Sequence, residues 1–186
     1  MNLINKLKLA DFVTLLGVVF ITIAFWFLSK NELELASASA LVAVLFDFMD
    51  GKVARKYGSS EYGKYLDSLF DVSGFVVFPT LLIMSVRGGD IISLVVAVSY
   101  SIAAYLRLAR FTAHGLPEGA RHYQGMPVLY SVFAIMLYQI AEGTLSLAVL
   151  IMMTPVMISE TKVHKPGHPI YGLVLITVAI WLVYAR

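Results

Sequence analysis

Cysteine is absent from the chain, which excludes a disulfide framework and any thiol chemistry. Net charge is nearly absent too. Fourteen Lys and Arg against twelve Asp and Glu leave +2 at pH 7, with no basic stripe, so nothing points to a nucleic-acid partner. No internal repeat and no low-complexity segment is visible, and no polar stretch is large enough to stand as a soluble domain. A small-residue cleavage site is missing after the first apolar block. That block runs instead into an acidic "KNELE" and then into a second block, unlike a secretory signal.

Apolar sequence is what the chain has in quantity. Of its 186 residues 59% are hydrophobic, with a mean hydropathy of +0.81. They lie in blocks at 12–28, 35–46, 75–86, 91–104, 128–140, 145–158 and 170–184. With their flanks these approach the roughly 20 residues that a helix needs to span hydrocarbon. The pattern predicts an all-α polytopic membrane protein, a single membrane-embedded domain over 1–186, with 1–11 as an amphipathic interfacial segment. Helices are expected over 12–28 and 35–56. A third is expected from the "YGSS" break to 86, capped by Ser59 or Ser60 with Glu61 in its first turn, and a fourth over 91–112. Two short blocks meet at "AEG", so helices five and six are expected to be tilted or one of them incomplete. A seventh helix follows six core helices. "AHGLPEGARHYQG" and "ETKVHKPGHP" read as polar loops.

Basic residues set the orientation. With the N-terminus cytoplasmic, Lys6, Lys8, Lys52, Arg55, Lys56, Lys64, Arg107, Arg110, Arg121, Lys162 and Lys165 fall on one side. Lys30, Arg87 and Arg186 fall on the other. The bias predicts an integral membrane protein whose aspartate-rich segment faces the cytoplasm.

That segment is "DFMDGKVARKYGSSEYGKYLDSLFD", residues 47–71. Asp47 and Asp50 are three apart, Asp67 and Asp71 four apart, so each pair shares a helix face one turn apart. Gly51, Ala54, Arg55 and Gly63 recur beside them. Two helices joined by a short turn can aim four carboxylates at one point. Unpaired carboxylates at membrane depth are costly and call for cations. Oxygen ligands suit Mg²⁺, Mn²⁺ or Ca²⁺, and two such ions can bridge phosphate oxygens during an in-line displacement. By contrast Asp11, Asp90, Glu32 and Glu34 each sit at a predicted helix end and read as solvated charges at the interface.

The run Asp47-x2-Asp50-Gly51-x2-Ala54-Arg55-x7-Gly63-x3-Asp67-x3-Asp71 is similar to the signature of the CDP-alcohol phosphotransferases. The resemblance implies a six-helix core and two divalent cations, Mg²⁺ or Mn²⁺ with Ca²⁺ able to substitute, held by Asp47, Asp50, Asp67 and Asp71. It implies Asp71 as general base, and Gly51, Ala54, Arg55, Ser60 and Gly63 around the CDP group. "DFVTL" resembles a family motif that places Thr14 near the nucleotide, although Asp11 stands where asparagine is usual. It also implies a homodimer in a lipid membrane.

"YGKYLDSLFDVSGFVVFP", "YLRLARF", "YQGMPV" and "MISETKVHKP" resemble the phosphatidylserine and archaetidylserine synthases within that family. The chain departs from them at Ser73-Gly74-Phe75, at Thr112 and at Gly125-Met126-Pro127. The implied reaction moves a phosphatidyl-type group from CDP-diacylglycerol or CDP-archaeol to L-serine and releases CMP. Inositol phosphate, inositol or glycerol phosphate are alternative acceptors. Arg107 and Arg110 share a helix face, and a guanidinium fork suits a carboxylate or phosphate, so both are candidates for the acceptor, with Gln124 and Glu160 nearby in the loops. His114, His122, His164 and His168 are scattered over those loops and nominate no metal site. A divalent-cation transporter is the rival of another class. Acidic residues at one level, with little acidic lining elsewhere, speak against it.

Overall fold

The computed structural model describes residues 6–115, 122–138, 141–164 and 172. Helices dominate them, as the apolar blocks predict. The expected seventh helix over 170–184 lies outside the described residues, as do Arg121, Lys165, His168 and Arg186. By their contacts the residues fall into two compact units divided between Gly74 and Phe75.

The first unit is built on α1 (Leu9–Ser29) and α2 (Leu33–Tyr57), which pack closely along each other. The buried stripe of α1 is Ala10, Asp11, Thr14, Gly17, Ile21 and Ala24, and α2 answers with Ala36, Ala40, Ala43 and Val44. Small residues at three- and four-residue spacing let two apolar helices approach where lipid gives no hydrophobic drive. Asn31, in the left-handed region at φ 61°, turns the chain between them. A Cβ on Gly17 would stand 3.0 Å from the Phe70 ring and 3.4 Å from Phe46 Cβ. The glycine thus seats the third helix, α3 (Gly63–Asp71), against the first pair.

The start of α3 differs from expectation. Neither Ser59 nor Ser60 caps it, and Tyr62 occupies the cap position. Ser60 instead builds the turn before the helix. Its Oγ accepts from the Tyr62 N–H at 3.1 Å and its carbonyl from the Gly63 N–H at 3.2 Å. Glu61 lies outside the helix and pairs with Lys6 at 2.6 Å.

Beyond Asp71 the helix widens into a π-type segment, Val72–Val77, and then tightens into α4 (Phe78–Val86). In the second unit, Pro79 has no N–H to donate to the Phe75 carbonyl four residues back. That oxygen accepts from Tyr100 Oη at 2.7 Å and from Ser131 Oγ at 2.9 Å. Two buried hydroxyls therefore tie α5 (Ile91–His114) and the 3₁₀ turn Val128–Ser131 to the irregular segment. Asp90 caps α5, its carboxylate accepting from the Ser93 N–H at 2.7 Å. The Arg87 guanidinium beside it holds that carboxyl down at about 2.

The fifth apolar block is incomplete as a helix, one of the two outcomes expected for the short blocks. It forms the 3₁₀ turn and a short α6 (Val132–Leu137), and Ala141, Glu142 and Gly143 then all have positive φ before α7 (Thr144–Ile158). Gly143 suits this place, since its φ of +76° is a left-handed conformation that favours glycine. A two-stranded antiparallel ribbon, unanticipated in the sequence pattern, joins the two polar loops through β1 (His122–Gln124) and β2 (Lys162–His164). Among the described residues Leu9–Ser29, Gly63–Val86 and Ile91–His114 are long and apolar enough to cross a membrane.

Replacing Tyr100 by Phe keeps the ring and removes one donor to the Phe75 carbonyl. We expect a loss of about 1 kcal/mol, measured as a lower Tm of the detergent-solubilised protein. An unchanged Tm would show that the hydroxyl contributes nothing to the irregular segment.

Candidate metal centre

The carboxylates that the spacing placed on helix faces come together within the first unit. Asp47 on α2 and Asp67 and Asp71 on α3 each offer an oxygen, and these oxygens all lie within 4.8 Å of one another. All three side chains are half-buried. Three like charges at that range repel strongly where water is scarce, and a hard divalent cation is the partner this donor set fits. The fit rests on donor chemistry: every ligand in the cluster is a carboxylate, with no imidazole and no sulfur among them.

Asp50, the fourth predicted ligand, is more deeply placed, at 5% exposure. It lies within electrostatic range of Asp67 and Asp11. Thr14 Oγ1 donates to Asp50 Oδ2 at 2.5 Å and to the Ala10 carbonyl at 3.2 Å. Thr14, which the family resemblance implies to lie near the nucleotide, thus also supports an aspartate. A hydroxyl in that position fixes the rotamer of a carboxylate and leaves its other oxygen for a ligand.

The small residues line the same region. A Cβ on Gly63 would stand 3.0 Å from Asp11 Oδ1 and 3.3 Å from Ser59 Cβ, with Ser60 Oγ at 4.0 Å. Gly51 has open space, with only an Arg55 nitrogen, at 3.6 Å, near its missing Cβ. Ala54 is half-buried and Arg55 exposed, so the guanidinium is available to an anion.

Asp11 is the residue the sequence reading undervalued. Its role at a helix start holds, for Oδ2 accepts from the Lys8 N–H at 2.7 Å. Yet the residue is 1% exposed and its Oδ1 has no hydrogen-bond partner among the described residues. The spacing of Lys8 and Asp11 could have shown the cap. Burial could not be read, because it depends on the approach of Gly63.

The acceptor candidates belong to the second unit. Arg107 is 6% exposed, with its guanidinium 5.0 Å from the centre of the Phe111 ring and 5.9 Å from that of Tyr123. Arg110 Nη2 donates to the Gln124 carbonyl at 3.0 Å. The two arginines that sequence could not tell apart therefore differ: one is buried among rings, the other ties a helix to the ribbon. Gly125, at φ +70°, donates its N–H to the Thr161 carbonyl at 2.9 Å. A Cβ there would meet the Met157 carbonyl at 2.5 Å.

Comparison with known proteins now bears on this geometry. Residues 7–182 match the family model described as CDP-alcohol phosphatidyltransferase. The chain belongs to that family. It is 38% identical over 102 residues to an archaetidylserine synthase of Methanothermobacter thermautotrophicus, covering 53% of this chain and 43% of that protein. It is 34% identical over 106 residues to a CDP-diacylglycerol–serine O-phosphatidyltransferase of Methanocaldococcus jannaschii, covering 56% and 49%. A Bacillus subtilis protein of the latter name is 32% identical over 111 residues, covering 57% and 60%. The chain spans about half the length of the curated relatives it matches. With three long apolar helices, membership of this family makes it a helical membrane protein.

Thr14→Val keeps the shape and removes the donor to Asp50. Divalent-cation affinity is expected to fall about tenfold, read from the Mg²⁺ or Mn²⁺ concentration that half-maximally raises Tm. Equal affinity in the two proteins would show that Asp50 needs no such support.

Proposed function

We propose that the chain transfers a phosphatidyl-type group from a CDP-linked lipid, CDP-diacylglycerol or CDP-archaeol, to the hydroxyl of L-serine and releases CMP. The observation that carries this reading is the convergence of Asp47, Asp67 and Asp71 within 4.8 Å, on the spacing that the family signature requires. Relatives named for serine transfer support the acceptor.

In this reading Asp47, Asp50, Asp67 and Asp71 hold two divalent cations, Mg²⁺ or Mn²⁺. When bound, these would neutralise the donor's diphosphate and the charge growing on the leaving CMP. Gly51, Ala54 and Gly63 let the diphosphate approach the helix backbone, and Arg55 and Ser60 supply donors at its edge. Asp71 accepts the proton of the serine hydroxyl as that oxygen forms its bond to the β-phosphorus. The bond from that phosphorus to the bridging oxygen breaks, and CMP leaves with the electron pair. Within the second unit, Arg107 is the candidate contact for an anionic group of the acceptor, since its planar fork suits a carboxylate. Arg110 and Gln124, joined through the Gln124 carbonyl, flank it as part of the ribbon. The lipid tails stay in the bilayer, the site faces the cytoplasm as the basic residues indicate, and the protein works as a homodimer.

The test is CMP release by purified protein with CDP-diacylglycerol and Mg²⁺ or Mn²⁺, offered serine, inositol, inositol phosphate, glycerol phosphate or no acceptor. Release is expected only with metal and serine together. Dependence on another acceptor would overturn the serine assignment, and no release with any acceptor would overturn the reaction. Asp71→Asn is expected to retain CDP-lipid binding and lose turnover by at least about a hundredfold. An active variant would remove Asp71 as the base.

A further inference from the structure

Arg107 sits one turn before Phe111 on α5, so its guanidinium lies 5.0 Å from that ring. The second ring, Tyr123, comes from β1, at 5.9 Å. The two ring centres are 6.3 Å apart and tilted by 56°. An arginine packed against two adjoining rings is held by cation–π attraction, and its fork is oriented before any ligand arrives.

Tyr123 in turn is placed by the ribbon. It stands opposite Val163 in the strand register, and its neighbour Gln124 accepts from Arg110 through the carbonyl. Gly125 closes the strand end by donating to the Thr161 carbonyl. A chain of contacts therefore runs from Arg110 to the ribbon, from the ribbon to Tyr123 and from Tyr123 to Arg107.

We propose that Tyr123 is a positioning residue for the acceptor, its ring fixing Arg107 so that the guanidinium presents a preformed fork to the acceptor's anionic group. This rests on the reading of Arg107 as the acceptor contact. It adds that the ribbon between the two polar loops governs acceptor affinity, and that the two arginines divide the work: Arg110 anchors the ribbon and Arg107 faces the ligand. The same fork would serve a carboxylate or a phosphate, whichever of them the acceptor carries.

The experiment measures KM for acceptor and for CDP-lipid, together with kcat, in purified full-length wild type, Tyr123→Leu, Tyr123→Phe and Phe111→Leu. Loss of the ring in Tyr123→Leu is expected to raise the acceptor KM about tenfold without raising the donor KM. Tyr123→Phe keeps the ring and is expected to keep the acceptor KM. Phe111→Leu removes the other ring by a change on α5 and leaves the ribbon's own residues in place, and the same selective rise is expected, so the answer survives if one variant does not fold. An unchanged acceptor KM in either leucine variant would overturn the proposal, as would donor and acceptor KM rising together. So would a phenylalanine variant as impaired as Tyr123→Leu. A wild-type enzyme that releases no CMP with any acceptor would overturn the parent reading and this one together, a result distinguishable because it appears before any substitution is made.

Discussion

Carboxylates crowded within a few ångströms, in a chain that is 59% hydrophobic, are the constraint on which the rest of the first unit depends. Repulsion among Asp47, Asp67 and Asp71 favours any arrangement that separates α2 from α3, and a bound cation or protons would offset it. The surrounding structure does the opposite of separating them. The small-residue stripe of α1 brings that helix against α2, and Gly17 admits the Phe70 ring that seats α3. The Thr14 hydroxyl holds Asp50. Packing is thus arranged to keep charges together, as the divalent-cation site proposed for them requires.

Rigidity has a counterpart in irregularity. The π-type segment begins immediately after Asp71, and such widened turns cluster at functional sites. Pro79 has no N–H for the Phe75 carbonyl, and two buried hydroxyls take that role. The break in helical bonding is therefore held in place by side chains from elsewhere in the second unit. A carboxylate at the end of a regular helix can in this way have its own local geometry without loosening the helix that follows, which suits the base proposed at Asp71.

Much of this was legible in the sequence, for reasons that can be named. The apolar blocks fixed the helices because membrane helices must satisfy their own backbone, and the aspartate spacing fixed the faces because 3.6 residues make a turn. The cap of α3 was misplaced because "YGSS" offers two serines, and Ser60 forms a turn instead. The ribbon escaped notice because three-residue strands carry no alternation to read, and their pairing joins loops about forty residues apart. Asp11 looked like a solvated helix end because its burial comes from Gly63, fifty-two residues away. Arg107 and Arg110 looked equivalent because helical spacing shows a shared face and says nothing of which one meets a ring.

The central claim is that the converging aspartates form a divalent-cation site, and Mn²⁺ binding to the purified chain, followed by electron paramagnetic resonance, tests it most directly. Wild type is expected to bind Mn²⁺ and quench the free-ion signal, and Asp67→Asn to lose that binding by at least about tenfold while keeping its helical content. Equal Mn²⁺ binding by the two proteins, or none by wild type, would contradict the account.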